Sequence, residues 1–330
     1  MPANLPPEYY AIERRYRLAK SAQEKIAIVR ELLAIMPKHK GTERLQAELR
    51  GRIAKLSREA QKKRAKRGFS YHIKKEGAAQ LVLIGPPNAG KSQILASLTN
   101  AVPEVTQYPF ATRRPLVGMA PFEDISFQLV DTPSIAPDFM EPWLPDIVRN
   151  ADLTLLVADL GVENCWEGVN TVIERLAQVK IELLAEMTDD KESDVPGAFV
   201  RKKTIMVANK IDLPQAQQRF DALKSACHQR FPLIPISAKR HLGLEEMKRK
   251  IHRALGIVRV YTKAPGRPAD REEPVILRKG DTVIDAAQTI HKDLARELKY
   301  ARLWGSNKFD GQRVERDYTL EDGDVVEFHT

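Results

Sequence analysis

Residues 81–92 read "LVLIGPPNAGKS": a four-residue apolar run, a GxxxxGKS loop, and then the helix-forming "QILASLTN". A strand, a glycine-bounded loop and a helix in that order make a phosphate cradle, because backbone N–H groups converge where the helix dipole is positive. The loop of Gly85, Pro86, Pro87, Asn88, Ala89 and Gly90 is expected to surround the phosphates. Lys91 is expected to neutralise the β/γ oxygens, and Ser92 to ligate Mg²⁺.

Moving outward, "SFQLV" is a second apolar run, ending in Asp131, which is placed to hold Mg²⁺ as the acid of the next strand. "NKID", residues 209–212, closes the run "TIMVA" and bears on the base. Asp212 can accept the N1–H and N2–H of guanine, whereas adenine leaves the carboxylate without donors, a mismatch worth roughly 10⁴ in discrimination. Asn209 is expected to brace the loop, Lys210 to lie over the ring, and the "SAK" segment Ser237, Ala238, Lys239 to bring the Ala238 N–H to guanine O6. The nucleotide predicted is GTP, not ATP.

These motifs sit on "LVLIG", "SFQLVD", "DLTLLVADL", "KTIMVANK" and "PLIPIS", with helical stretches between several of them. Strands apolar nearly throughout predict an α/β domain, a mostly parallel sheet with helices on both faces, over 79–257. From 258 to 330 the runs "VRVYTK", "PVIL", "ARLWG" and "DVVEF" predict a small mixed sheet crossed by one helix. That helix is capped by Thr282, with Ile284, Ala287, Ile290 and Leu294 inward. Tyr300 and Trp304 invite RNA stacking, but the apolar setting of "YARLW" favours a core role for at least one of them.

Residues 1–78 read as a helical hairpin. Tyr9, Ile12, Tyr16, Ala19, Ile26, Val29 and Leu33 make one stripe. "MPKHKGT" interrupts it, and Leu45, Leu49, Ile53, Leu56 and Ala60 make the second. The hairpin runs into "KKRAKRG", residues 62–68. Residues 1–80 hold 20 Lys/Arg against 8 Glu, a net +12 beside +9 for the whole chain, so the basic charge is segregated at the N-terminal end. Such segregation points to contact with a polyanion, RNA above all.

The 330-residue chain is 43% apolar and 29% charged, the balance of a soluble globular protein of about two domains. No apolar run reaches membrane-spanning length and the N-terminus lacks a signal-peptide pattern, so a cytoplasmic location without membrane contact is expected. Cys165 and Cys227 lack metal-ligand spacing and are expected to be plain thiols. No zinc pattern occurs, and the acidic stretch "EMTDDKESD" is a solvated connection.

In sum these motifs resemble the Obg/DRG-type GTPases, in particular the developmentally regulated GTP-binding (DRG) proteins. "YPFAT", residues 108–112, is similar to their switch I. "VRVYTKAPG", "IHKDL", "KYARLWG" and "DVVEF" look like their C-terminal TGS domain, which implies a β-grasp-like fold there. The resemblance implies that Thr112 ligates Mg²⁺ and senses the γ-phosphate. Ala111 and Ser134 depart from it, standing where threonine and glycine are usual. Only 78 positions separate Asp131 from Asn209, too few for the extra folded insert of DRG proteins.

"DTPSIAP", residues 131–137, places Ile135 where small GTPases carry the glutamine that orients water. Slow intrinsic turnover is expected, near or below about 10⁻⁴ to 10⁻³ s⁻¹, with a partner or a cation supplying the missing stabilisation. Asn88 resembles the asparagine of potassium-activated GTPases, which implies a K⁺ beside the phosphates. Arg113 or Arg114 acting in cis is the rival. Lys91, Thr112 and Asn88 are thus the candidate catalytic residues. The function expected is a GTP-hydrolysing switch on RNA or ribosomes, open to an activating protein. The alternative is a nucleotide-gated protein adaptor in which hydrolysis is incidental.

Overall fold

The computed structural model describes residues 73–99, 115–186, 198–227, 230–305 and 309–330, with a few helical residues between 28 and 51. The chain divides into two compact units, Met1–Ser70 and Tyr71–Thr330. In the first, Ile28, Val29, Leu32 and Leu49 are helical and buried, and Val29 and Leu49 belong to the two expected stripes. The "KKRAKRG" run, Thr112 with its "YPFAT" segment, Arg113, Arg114 and most of the acidic stretch lie outside the described residues.

The second unit opens with a seven-stranded sheet. Its strands are β1 (Ala79–Ile84), β2 (Leu116–Phe122), β3 (Ile125–Asp131), β4 (Leu153–Asp159), β5 (Ile181–Leu184), β6 (Val200–Asn209) and β7 (Leu233–Ile236). They run in the order β2-β3-β1-β4-β6-β5, with β7 also on β6. Every pair is parallel except the β2–β3 hairpin. β2 escapes a reading by apolar runs because Gly118 and Pro121 interrupt it and its exposed and buried residues alternate, as an edge strand tolerates.

Among the described residues five helices cover this sheet: α1 (Lys91–Leu98), α2 (Leu144–Asn150), α3 (Cys165–Gln178), α4 (Ala216–Ala226) and α5 (Leu244–Leu255). Successive strand residues point to opposite faces, so each apolar run feeds two cores. Val82, Ile84, Leu156, Ala158 and Met206 meet α2, α3 and α4 through Leu144, Ile147, Val172, Leu176 and Leu223. Leu81, Leu83, Leu155, Val157 and Ile205 meet α1 and α5 through Ile94, Leu95, Met247 and Ile251. Cys165 and Cys227 are buried free thiols in the first core, and burial pushes the Cys165 thiol up.

The C-terminal domain is a five-stranded sheet with two helices. It comprises β8 (Ile257–Lys263), β9 (Ala269–Arg278), α6 (Val283–Ile290), α7 (Lys292–Glu297), β10 (Tyr300–Trp304), β11 (Gln312–Val314) and β12 (Val325–His329), in the order β11-β10-β12-β8-β9. Thr282 caps α6 in a capping box: its N–H donates to Asp285 Oδ2 at 2.8 Å. Of the expected inward set, Ala287 is buried and Ile284 and Leu294 pack against the core, while Ile290 needs correcting. α6 buries Val283, Ala286 and Ala287 and stops at His291, so Ile290 is exposed and Leu294 belongs to the next helix. Tyr300 and Trp304 are corrected too. Ala301 and Leu303 take the core positions of β10, and alternation puts the two aromatics on the opposite face.

Arg259 on β8 joins the two sheets. Its guanidinium donates to Asp322 Oδ1 and Oδ2 at 3.0 and 2.8 Å within the C-terminal domain. It also donates to Asp124 Oδ1 at 2.8 Å and to Glu123 at the β2–β3 turn. Tyr261 adds a hydrogen bond to Asp124 Oδ2 at 2.5 Å. Burial pushes the Asp322 carboxyl up, but the hydrogen bonds and charge of Arg259 outweigh it and hold the group below its usual range. The hairpin anchored in this way ends at Asp131, inside the nucleotide cradle.

Candidate nucleotide site

Strand register collects the site at one level. Leu83 pairs with Asp131, Asp159 with Asn209, and Asn209 with Ile236, so the loops after β1, β3, β4, β6 and β7 emerge together at the C-terminal edge of the sheet. That edge is where open α/β sheets take ligands.

Two glycines fix the loop after β1. A Cβ on Gly85 would stand 2.7 Å from the Val157 carbonyl oxygen, and one on Gly90, which has φ +89°, would stand 2.3 Å from Asn209 Nδ2. Only glycine fits either position. Asn88, also at positive φ, is exposed at the loop tip. The two prolines correct one expectation: Pro86 and Pro87 carry no N–H, so the donors of the loop come from Gly85 and from Asn88 to Lys91. α1 starts at Lys91 with no side-chain cap, so its first amides stay available to an anion.

Lys91 is 6% exposed. Its Nζ donates to the carbonyls of Gly85 and Pro86 at 3.3 Å each and to Ser134 Oγ at 3.0 Å, tying the loop after β1 to the loop after β3. Burial lowers its pKa to about 8, against the opposing charge of Asp131. Ser134, the residue that departs from the usual glycine, thus supplies an acceptor to the phosphate-facing lysine.

Ser92 Oγ donates to Asp131 Oδ2 at 2.5 Å. Asp131 is wholly buried, its carboxyl is pushed up by burial, and its Oδ1 has no partner among the described residues. A buried carboxylate oxygen left without a donor is costly unless a cation or a proton joins it. A hydroxyl and a carboxylate oxygen side by side suit a hard dication, so the residues fit Mg²⁺. Thr132 Oγ1 donates to the Leu83 carbonyl at 2.7 Å and fixes the end of β3 against β1.

Ile135 lies in the core with α2, fully buried, while its backbone N–H donates to the Gly85 carbonyl at 3.1 Å. The side chain standing where a glutamine orients water therefore points away from the cradle. Its apolar surface anchors the loop instead.

At the base end, Asn209 is buried and bridges three loops: Nδ2 donates to the Ala89 carbonyl at 2.9 Å and Oδ1 accepts the Ala238 N–H at 3.1 Å. These two bonds tie the loops after β1 and β7 to the end of β6. The Ala238 N–H, expected to face guanine O6, is instead spent on Asn209, a bond it must share with or give up to a purine oxygen. Ser97 of α1 donates to the Ala238 carbonyl at 2.8 Å, and Ser237 Oγ accepts the Arg240 N–H at 3.1 Å. Asp212 and Lys239 are exposed.

Lys210, at φ +72°, reaches Asp159 Oδ2 at 2.6 Å, and Asp159 Oδ1 accepts the Gly161 N–H at 2.7 Å. Motif reading misses Asp159. Its one signal is a carboxylate ending the apolar run "LTLLVA", as Asp131 ends its own.

Residues 80–210 match the family described as 50S ribosome-binding GTPase, and residues 258–330 match the TGS domain. The "Uncharacterized GTP-binding protein MJ1326" of Methanocaldococcus jannaschii is 30% identical over 359 residues, covering 92% of each chain. Developmentally-regulated GTP-binding protein 1 of Xenopus laevis is 29% identical over 362 residues, covering 92% of this chain and 97% of that one. Both alignments are longer than the 330-residue chain, so these relatives carry residues that it lacks. Among solved structures, the G domain of the T. maritima FeoB iron transporter aligns with 53% of this chain and 98% of that one, at 23% identity and a TM-score of 0.38.

Proposed function

The chain belongs to the developmentally regulated GTP-binding proteins, GTPases that carry a TGS domain, and from that premise we propose a GTP-driven switch that works on RNA or ribosomes. The observation that carries the nucleotide chemistry is the cluster of Lys91, Ser92 and the half-satisfied Asp131 at the mouth of the loop. Lys91 leaves two backbone carbonyls for the β/γ-phosphate oxygens, while Ser92 and Asp131 hold Mg²⁺, with Thr112 completing the set. Bound Mg²⁺ neutralises charge on the phosphoryl oxygens. Asp212 reads the guanine edge, Asn209 keeps the base loops in register, and Lys210, oriented by Asp159, covers the ring.

Hydrolysis is slow without help, because the buried Ile135 offers no polar atom to the attacking water. Asn88 resembles the asparagine of potassium-activated GTPases, and on that reading turnover in K⁺ buffer is expected to exceed that in Na⁺ buffer by at least about tenfold. Equal rates in the two buffers rule the cation out and leave an external activator. The family description of residues 80–210, the TGS domain and the +12 N-terminal segment support RNA or ribosomes as the partner. A cytoplasmic site of action is part of this reading, and no described helix is long and apolar enough to cross a membrane.

The test is co-sedimentation of the full chain with ribosomes and their subunits at physiological salt, in GDP or in a non-hydrolysable GTP analogue. Pelleting that depends on the GTP analogue supports the switch. Absence of pelleting in both states transfers the reading to a nucleotide-gated protein adaptor.

A further inference from the structure

We propose that the exposed half of the outer face of the C-terminal sheet binds single-stranded RNA, with Arg302 and Arg313 on phosphates and Phe309 stacked on a base. The proposal deepens the RNA-associated reading above and rests on it. The other half of this face is already occupied, since Arg259 and Tyr261 point from it into Asp124 of the GTPase domain.

The first observation is a charge placement: Arg302 faces Glu327 of β12 on one side and a second arginine on the other. Arg302 and Arg313 stand directly opposite each other on β10 and β11. Like charges in that register destabilise a sheet. The Arg302 side chain is exposed and has no hydrogen-bond or ion-pair partner among the described residues. Arg313 lies 4.2 Å over the Tyr300 ring, whose other flank stacks on His329 at 4.6 Å, and it comes within only 3.9 Å of Glu315. Such a stack holds a guanidinium plane in place, and the long, exposed contact to Glu315 is one that an incoming anion can replace.

Further along the face Lys263 lies 4.2 Å over the Trp304 ring. Glu327, the carboxylate opposite Arg302 on β12, is buried, with its two oxygens taken by Lys263 at 2.9 Å and His329 at 2.8 Å. Hydrogen bonding from Lys263 holds it below the usual carboxylate range, so it stays ionised while offering little repulsion to an incoming phosphate. Two arginines one strand spacing apart suit successive phosphates of an extended strand.

The second observation is Phe309, 87% exposed in the β10–β11 connection. The turn that carries it is tied down: Gly311 N–H donates to the Leu303 carbonyl at 3.1 Å and Gln312 N–H to the Phe309 carbonyl at 2.9 Å. The Tyr300 ring is covered by Arg313 and His329 and the Trp304 ring by Lys263, whereas Phe309 is open and able to receive a base. An open ring in the connection between the strands that carry Arg302 and Arg313 matches the composition of single-strand binding surfaces, whereas an A-form duplex keeps its bases stacked and out of reach.

The test titrates the full chain with a fluorescent single-stranded oligouridylate of about 15 nucleotides and with a duplex of equal length, at two or more salt concentrations. Phe309→Ala is expected to weaken single-strand binding by roughly five- to a hundredfold. Arg302→Ala is expected to lower the slope of log affinity against log salt by about 0.7. Both side chains are exposed, so the variants fold, and unchanged nucleotide binding serves as the control. Wild-type binding that neither substitution weakens overturns this face while leaving RNA association by the rest of the chain intact. A chain that binds neither the single strand nor ribosomes overturns the face together with the reading beneath it. Equal affinity for duplex and single strand overturns the stacking role.

Discussion

The nucleotide cradle and the outer face of the C-terminal sheet both collect cations but treat them oppositely. In the cradle Lys91 is buried, bonded to two carbonyls and a hydroxyl, and its pKa falls to about 8. On the sheet face Arg302 and Arg313 are exposed, and the second is steered by an aromatic ring and a long contact to Glu315. A buried cation with fixed neighbours suits one compact anion of defined shape. Exposed cations spaced along strands suit an extended polyanion whose attraction salt can screen. Arg259 lies between the two regions and ties the β2–β3 hairpin, which enters the cradle, to the domain that bears the outer face.

The most severe way to break this contrast is Lys91→Ala, with GTP affinity expected to fall by at least about a hundredfold in an equilibrium titration. Its depressed pKa also has a pH signature. From about pH 8 to 10.5 the unfolded chain holds this proton and the nucleotide-free fold does not, so this group makes stability rise with pH through that window. Phosphates restore the charged form, so nucleotide binding near pH 9 should take up a proton. Calorimetry in two buffers of different ionisation enthalpy detects this, and the uptake should vanish in Lys91→Met.

Next in size is Gly90→Ala. The added carbon meets Asn209 Nδ2 at 2.3 Å and the backbone is at positive φ, so the base loops must part from the phosphate loop. GDP affinity is expected to drop by roughly tenfold or more, measured with a fluorescent nucleotide.

Arg259→Ala sharpens the junction between the two regions. It leaves Glu123, Asp124 and Asp322 without their shared cation, at a cost of about 2 kcal/mol and several degrees in the melting temperature. Asp124 and Asp322 are held below the usual carboxylate range, against burial that pushes both up. Their contribution is therefore present above the ordinary carboxylate pKa and fades as pH falls through their lowered values. Thermal melts of wild type and variant should differ at neutral pH and converge under acid.

The smallest effect belongs to the outer face. Arg302→Ala should change stability by no more than about 0.5 kcal/mol in a denaturant melt, because the side chain supports nothing in the fold. A large loss would make this cation structural and dissolve the contrast.

Local pattern made the fold legible. The continuous apolar runs of β1, β3, β4 and β6 require cover on both faces of a sheet, and the GxxxxGKS loop requires a helix after the first of them. β2 and β5 were hidden because an edge strand with Gly118 and Pro121, and one of four residues, carry little pattern. α6 shows the limit of periodicity: the 3.6-residue stripe runs on through Ile290 and Leu294, but the chain turns at His291 and leaves Ile290 in solvent.

The sequence by itself determined the chemistry available: a lysine and a serine after a glycine loop, a carboxylate ending the next strand, and an asparagine and aspartate after a later one. Order and residue type suffice there, because strand register brings those ends to one edge. Only the tertiary structure decided that Ser134 receives Lys91, that Ile135 turns into the core, and that Asp159 orients Lys210. The same holds for Arg302 and Arg313, 11 positions apart in sequence, which become neighbours through antiparallel register. These pairings join positions from separate strands and loops, and a sequence pattern records only the spacing within each.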